Sequence, residues 1–434
     1  MSADTTQPAT SPDQIRGMRS AILAQCCGTL GLTAFNNGIM LLYLTAQEMK
    51  SAHILVLLSL PLLASGLTQV PLAYFADRYG KKRFGFIGIV LNVLGYGLLI
   101  ASSHFVHIQL ACAAAGVILF GIGNGFFAAG WFALLSPVVP EHQRGRFFGR
   151  LRFSWQLVSI IFAAICTAFL SENTPVRTLQ IILIVITFFI AARSYFYAGI
   201  PELEREYNAG TSLRTILGKL TSTTGYTSFA CYIFLLQLFT GCCASVFGLV
   251  EEQAIMLEDR YIVILANITF VGSVVGYFLS GSIIDRFGTK RVFVGCHILF
   301  GLVFWLFLLR GFAPAGPLTL VYLALLHFSY GLAYASSSVA TSTEMLALIP
   351  VENKSVSTSV IVALMFGGFA LSGVLSGWAL SVGMLAPVWT AFGHTMTDYD
   401  SILLVCGAMV VLLVVTLGLV PSVIAKAQPF PRGN

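Results

Sequence analysis

Long apolar runs recur from one end of the chain to the other, separated by short polar stretches. A hydrocarbon core about 30 Å thick takes roughly 20 residues of helix to cross. Twelve segments meet that requirement: 20–44, 52–76, 84–103, 108–138, 153–171, 178–198, 226–249, 261–284, 292–310, 317–347, 358–382 and 401–424, here spans 1 to 12. Hydrocarbon offers the backbone no water to bond, so each run is expected to be helical. The polar stretches are patterned too. The turn after span 2, Asp77-Arg78-Tyr79-Gly80-Lys81-Lys82-Arg83, returns after span 8 as Asp285-Arg286-Phe287-Gly288-Thr289-Lys290-Arg291, 208 residues later. Pro140, ahead of Glu141-His142-Gln143-Arg144, and Pro350, ahead of Val351-Glu352-Asn353-Lys354, lie 210 residues apart. Two landmarks at nearly one offset predict an internal duplication, with six spans in each half.

Within several spans the polar residues keep helical spacing. In span 1 Gln25, Thr29, Thr33 and Asn36, with Met40 and Tyr43 beyond, form one stripe bordered by Asn37. Span 4 carries Gly121, Asn124, Ala128 and Trp131 on one face, and span 7 carries Gln237, Gly241, Ser245 and Gly248. Glu251 and Glu252 follow, and are expected at the outer end of span 7. In span 10 His327, Tyr330, Tyr334, Ser338 and Thr341 share a face, with Glu344 near the inner end. Hydrocarbon gives such groups no partner, so each stripe must face either neighbouring helices or a wet cavity. Both readings stand at this point. Arg193, near the inner end of span 6, is expected to snorkel to the surface.

Composition changes the picture only by excluding alternatives. With 57% hydrophobic and 10% charged residues, the 434-residue chain cannot cover a soluble globule and is read as a polytopic membrane protein. The net charge of +6 does not point to nucleic acid, because 20 of the 24 Lys and Arg residues fall in loops on one side. By the positive-inside rule that side, and both termini, are cytoplasmic. The expected division is a tail over 1–19, a bundle over 20–199, a linker over 200–225, a second bundle over 226–424 and a tail over 425–434. No cleavable signal peptide is visible, so span 1 is expected to target the chain. In the linker, Leu213, Ile216, Leu217 and Leu220 share a face, which fits either a helix on the membrane surface or a solvated connection. All nine cysteines fall inside spans, which argues against a disulfide framework. No cofactor or metal is expected. The chain lacks a phosphate loop, a His-Glu-x-x-His pattern and a nucleophile elbow, so it is not read as an enzyme.

The turn motif has the form Gly-x-x-x-Asp-Arg-x-Gly-x-Lys-Arg. It is complete from Gly281 to Arg291, whereas the first copy has Ala73 at its first position. Six plus six spans, a long middle loop and this turn after spans 2 and 8 resemble the major facilitator superfamily of secondary transporters, over roughly residues 18–425. The resemblance implies an all-α fold of twelve transmembrane helices in two pseudo-symmetric six-helix bundles, with spans 1, 4, 7 and 10 lining a central cavity. On that basis the cavity residues are Gln25, Thr33, Asn36, Asn37, Asn124, Trp131, Gln237, Ser245, Tyr330, Tyr334 and Ser338. It also implies that the turns form a switch. Asp77 would lie near the N-terminus of span 11 and Asp285 near span 5. Arg78, Gly80, Lys81, Lys82, Gly281, Arg286, Gly288, Lys290 and Arg291 would join them, with Arg144 and Arg146 as countercharges. Each such exposed contact is worth about 1 kcal/mol or less.

No Lys, Arg, Asp or Glu lies in the middle of spans 1, 4, 7 or 10, which disfavours a strongly charged solute. His327 is the candidate for proton coupling, with Glu344 and the outer Glu251 and Glu252 as weaker ones, although a histidine that simply donates one hydrogen bond reads the same way. The expected activity is movement of a small neutral or amphipathic organic solute, with proton-coupled efflux as one form of it. A metal-ion or metal-chelate cargo, iron for example, is an alternative and would need Cys26 and Cys27 to converge with Cys242 and Cys243. A non-transporting sensor or assembly factor on the same fold is another. The expected partners are a small solute and the lipid bilayer, and the expected state is a monomer in a bacterial inner membrane. Asp77→Asn separates transporter from sensor: solute flux in vesicles should stall in the variant, and unchanged flux would remove the switch role.

Overall fold

The computed structural model describes residues 11–419 except 136, 141–143, 204–217, 219, 221, 223–224, 313–315, 349–353 and 392, so most of the linker lies outside the described residues. Span 1 begins at Pro12, within the stretch expected as a tail, because Ser11 caps it. The Gln14 N–H donates to Ser11 Oγ at 3.2 Å and the Ser11 N–H donates to Gln14 Oε1 at 3.0 Å, a reciprocal capping box. The span runs as Pro12–Thr33, breaks over 34–38 with Gly38 at φ 83°, and resumes as Ile39–Thr45. Spans 2 to 6 are Ser51–Tyr79, Lys81–Ala101, Gln109–Leu135, Arg144–Thr167 and Val176–Ala198. Span 7 is also broken, into Tyr226–Thr240 and Cys243–Leu249, and ends in a wide π turn over Val250–Ala254. Spans 8 to 12 are Asp259–Phe287, Thr289–Leu308, Pro317–Leu348, Lys354–Ser381 and Asp398–Leu419.

Eleven of the described helices are long and apolar enough to cross a membrane, and broken, polar span 1 supplies the remaining expected crossing. Both basic turns reverse the chain through a glycine in left-handed backbone, Gly80 at φ 107° and Gly288 at φ 80°, where a side chain would be strained. The duplicated sequence thus takes the same local conformation twice.

Between helices in lipid the hydrophobic effect is weak, so association relies on close packing and interhelical hydrogen bonds. Spans 3 and 4 meet at Gly95 and Gly116, where an added Cβ would lie 2.6 Å from Phe120 N and 2.7 Å from Gly95 O. Spans 8 and 10 meet at Gly272 and Gly331, where a Cβ would lie 2.1 Å from Phe328 O and 2.0 Å from Thr269 O. The halves join the same way. Gly373 of span 11 leaves no room for a Cβ against Ser59 of span 2, and Gly377 packs on Ala52. Spans 5 and 8 exchange amides: Gln156 Nε2 donates to Phe270 O at 3.3 Å, and Asn267 Nδ2 donates to Ile160 O at 3.2 Å.

At the end of the molecule away from the basic turns, β1 Val388–Ala391 and β2 His394–Thr397 form an antiparallel hairpin between spans 11 and 12. Asp400, fully buried below it, receives both guanidinium nitrogens of Arg310, the Thr397 N–H at 2.8 Å and the Thr397 hydroxyl at 3.0 Å. Removing one member of such a pair strands the other in low dielectric. Arg310→Leu should therefore destabilise the protein by about 3–5 kcal/mol, and Arg310→Leu with Asp400→Leu should recover most of that loss. Thermal unfolding in detergent reads both, and a single variant as stable as the parent would show that the pair contributes little.

Candidate functional site: a cleft between two broken helices

The breaks in spans 1 and 7 fall at equivalent places, since the residue 208 positions after Thr33 is Gly241. A break in hydrocarbon leaves carbonyls and N–H groups that need partners. Tyr96 of span 3 donates to Gly31 O at 2.5 Å, and Tyr330 of span 10 donates to Thr240 O at 3.2 Å. The Cys242 N–H donates to Ser372 Oγ of span 11 at 3.0 Å. With the orphan groups satisfied, the breaks are stable and the short second segments can turn toward each other. A narrow cleft lies between them, with about 20 Å³ of room for the centres of water-sized spheres and about 340 Å³ when all space out to its open mouth is counted. It is lined by Phe35, Asn36, Gly38 and Leu41 from span 1, by Ala244, Ser245, Gly248 and Glu251 from span 7, and by His327 among others.

His327 is the polar centre of this cleft. Its Nε2 lies 2.6 Å from Glu251 Oε1 and its Nδ1 lies 2.9 Å from the Thr269 hydroxyl. Phe247 packs edge-on against the imidazole at 5.5 Å and stacks on Phe307 at 4.3 Å, which fixes the ring. Glu251 is fully buried, and its Oε2 has no hydrogen-bond partner among the described residues. It lies in the π turn that ends span 7, at the hairpin end, which is the end expected for it; what the sequence does not show is that its side chain is buried and turned onto span 10. A signal was available, because Glu251 continues the stripe of Gly241, Ser245 and Gly248 by one more helical step.

The other cavity candidates divide. Asn36 and Ser245 line this cleft; Gln237, Tyr334 and Ser338 line a second one of about 280 Å³ between spans 7, 9, 10 and 11. Tyr330 is buried at the break of span 7, and Asn37 is buried with its Oδ1 accepting from the Ile39 N–H. Thr33 turns back onto its own helix, 3.1 Å from Thr29 O. Asn124 accepts from Asn92 of span 3 at 3.3 Å, and Trp131 packs on Phe127 and Tyr197. Those two face the interior of the first half. Gln25 accepts from Arg193 Nη2 at 3.2 Å. The expectation that Arg193 snorkels is also corrected, because it is only 3% exposed and its guanidinium carbon lies 3.2 Å over the Phe127 ring. Gly28 makes the room, since a Cβ there would sit 2.3 Å from the guanidinium. Glu344 is buried toward the basic-turn end of span 10.

The switch candidates are only partly visible. The side chains of Asp77, Arg78, Asp285, Arg144 and Arg146 lie outside the described residues. Lys82 Nζ donates to Ala198 O and Ile200 O, at 2.8 Å each, and so caps span 6 of its own half. Arg286 lies over the neighbouring Phe287 ring; Gly281, Arg286 and Arg291 are exposed, and Lys81 and Lys290 half-buried. At the hairpin end, in contrast, hydrogen bonds join the halves directly. Thr45 donates to Glu252 Oε2 at 3.0 Å, Ser51 donates to Gln253 Oε1 at 2.9 Å, and the Thr174 N–H donates to Asp259 Oδ2 at 2.8 Å. The Tyr399 hydroxyl lies 2.7 Å from both Ser51 Oγ and Gln253 Oε1. This end of the molecule is shut.

Residues 21–257, more than half of the chain, match the family model described as Major Facilitator Superfamily. The chain belongs to that superfamily. A comparison with curated protein sequences finds no match. Among solved structures, the nucleoside transporter NupG is 16% identical with a TM-score of 0.65, over 94% of this chain and 98% of that one. A D-xylose-proton symporter is 14% identical with a TM-score of 0.67, over 95% and 99%. A bacterial homologue of the iron transporter ferroportin, in an inward-facing state, is 12% identical with a TM-score of 0.68, over 93% and 98%. At these identities the likeness carries the superfamily fold and nothing about the solute.

In this superfamily member the hydrogen bonds at the shut end are partly exposed, each with a net worth of about 1 kcal/mol. Tyr399→Phe should weaken the closure by about 1–2 kcal/mol and raise the open population roughly 5- to 30-fold. The rate at which an impermeant maleimide, added on the hairpin side, modifies Ser245→Cys in a background without native thiols reads that population. An unchanged rate would mean that these bonds do not hold the end shut.

Proposed function

We propose that the protein is a proton-coupled secondary transporter of a small neutral or amphipathic organic solute, bound in the cleft between spans 1, 7 and 10 during alternating access. The pairing of His327 with Glu251 inside that cleft is the observation that carries the reading. The cleft walls are mainly aliphatic and small residues, with one phenyl ring from Phe35 and polar groups from Asn36, Ser245, Glu251 and His327, which suit a solute held by apolar contact and a few hydrogen bonds. Glu251 Oε2, buried and without a partner, is an acceptor for a solute hydroxyl or amine.

Coupling follows from burial. With the hairpin end shut, Glu251 is completely buried, and a carboxylate there needs its proton or an imidazolium beside it. A proton on the pair therefore favours the shut state, and its loss favours opening. The two sites are linked, because a ligand shifts a conformational equilibrium by its differential affinity for the two states. In this reading Glu344, toward the other end of span 10, is a secondary proton site. The excess of Lys and Arg on the side of the basic turns supports a reading in which both termini are cytoplasmic and the hairpin end faces outward from a bacterial inner membrane. The working unit in this reading is a monomer, which is supported by a cleft whose described lining comes from both halves of one chain. Transporters among its structural likenesses include ones named for a nucleoside and for D-xylose with a proton, both compatible with a solute of this kind.

Proteoliposomes test this with a panel of labelled nucleosides, sugars and amphipathic cations, with and without an imposed pH gradient. The parent should accumulate at least one solute when the gradient is present. Glu251→Gln keeps the shape and the hydrogen bond but cannot exchange a proton; it should retain solute exchange at equal concentrations yet lose gradient-driven accumulation by roughly tenfold or more. Accumulation that survives in Glu251→Gln would overturn the coupling role.

A further inference from the structure

We propose that Cys242, Cys243 and Cys406 form a binding site for a thiophilic monovalent cation, Cu(I) in chemical class, inside the second half of the molecule. The three Sγ atoms lie within 4.8 Å of one another, and all three residues are buried. Adjacent residues on an unbroken α-helix point about 100° apart, so neighbouring cysteines do not ordinarily serve one ion. Here the turn between Thr240 and Cys243, with Cys242 at φ −85° and ψ −12°, breaks the helix and brings both thiols beside Cys406 of span 12. The convergence of this pair with Cys26 and Cys27, which the sequence left open, is not what forms the cluster. Its third thiol comes from a span that carries no polar stripe.

The donor set selects the ion. Three sulfurs, with no carboxylate or imidazole in the cluster among the described residues, suit soft Cu(I) and Ag(I) and do not suit Mg, Ca or Mn. A structural zinc site would need a fourth ligand. Binding displaces thiol protons: with two thiols deprotonated the monovalent ion leaves one net negative charge, and the third sulfur stays a neutral donor. Two hydroxyls support that arrangement. Ser376 Oγ lies 3.3 Å from Cys242 Sγ, where its hydroxyl can donate to a thiolate, and Ser372 Oγ accepts the Cys242 N–H and fixes that residue's backbone. An ion held here would tie the broken part of span 7 to span 12. Both serines are on span 11, which packs on the first half through Gly373 and Gly377.

The test uses the purified full chain in detergent with Cys26→Ser and Cys27→Ser, so that the other adjacent thiols do not scavenge metal. After incubation with silver nitrate and gel filtration against a competing small thiol, about one Ag(I) per chain should be retained. Cys406→Ser should weaken retention at least about tenfold, whereas Cys231→Ser, an exposed thiol on the same span, should leave it unchanged. Ag(I) should also raise the melting temperature of the parent but not of Cys406→Ser. Should that variant fail to fold, X-ray absorption at the copper edge of the Cu(I)-loaded parent decides instead, with three sulfurs as the only near neighbours expected. Retention unaffected by Cys406→Ser, retention well below one ion per chain, or a shell containing nitrogen or oxygen would overturn the proposal. The outcome is independent of transport, because a chain that moves no solute should still hold the ion.

Discussion

A helix in hydrocarbon cannot stop without supplying new partners for the backbone groups it releases, and the middle of this molecule is built on meeting that demand twice. Each half breaks its first span at the same position of the repeat, and each break is answered by a tyrosine from a different neighbour: Tyr96 on Gly31 O in the first half, Tyr330 on Thr240 O in the second. The breaks give the molecule short, tilted segments at its centre where straight helices would close the space. The cleft, the inward placement of Glu251 and the clustering of three thiols all descend from that geometry. Tyr330 is thus tied to two roles, since its ring also packs on Phe247, the residue that holds His327 in place.

Glycine does the complementary work. Close approach of spans 3 to 4 and 8 to 10 makes each half rigid, and the same device at Gly373 and Gly377 lets the halves touch without interlocking long side chains. An interface of small residues and single hydrogen bonds can separate and re-form, whereas one built on large knobs in holes would have to unpack. The buried ion pair of Arg310 and Asp400 sits within one half, where a strong contact costs nothing in motion.

Much of this was legible in the sequence, and the exceptions have physical causes. The repeat, the crossings and the positive-φ turns follow from local rules: run length, periodicity and the glycine at each basic turn. The breaks are less plain: Gly241 to Cys242 contains no proline and reads as continuous helix, and in span 1 the polar stripe carries on at helical spacing through Asn36 to Met40 and Tyr43, which masks the turn signal of Asn37-Gly38. Their cause is tertiary, in hydroxyls supplied by spans 3, 10 and 11. Arg193 was misjudged for a related reason. Its distance from the membrane surface suited snorkelling, but Gly28 on span 1 and Phe127 on span 4 offer a slot and an aromatic face that no reading of span 6 alone contains. Asn124 and Trp131 share a face with the expected cavity stripe, yet that face turns toward spans 3 and 6. Periodicity identifies a polar face and leaves open which neighbour it meets.

On the proposed cycle the magnitudes are matched. Closure at the hairpin end rests on a handful of hydrogen bonds at about 1 kcal/mol each, so the shut state is favoured by only a few kcal/mol. Burying the Glu251 carboxylate without a proton on the pair costs an amount of the same order or more. Neither contribution overwhelms the other, so the occupancy of one titratable pair can decide which end is open. Had the latch been built from buried ion pairs like that of Arg310 and Asp400, the proton on His327 and Glu251 would change little, and the halves would stay in one arrangement.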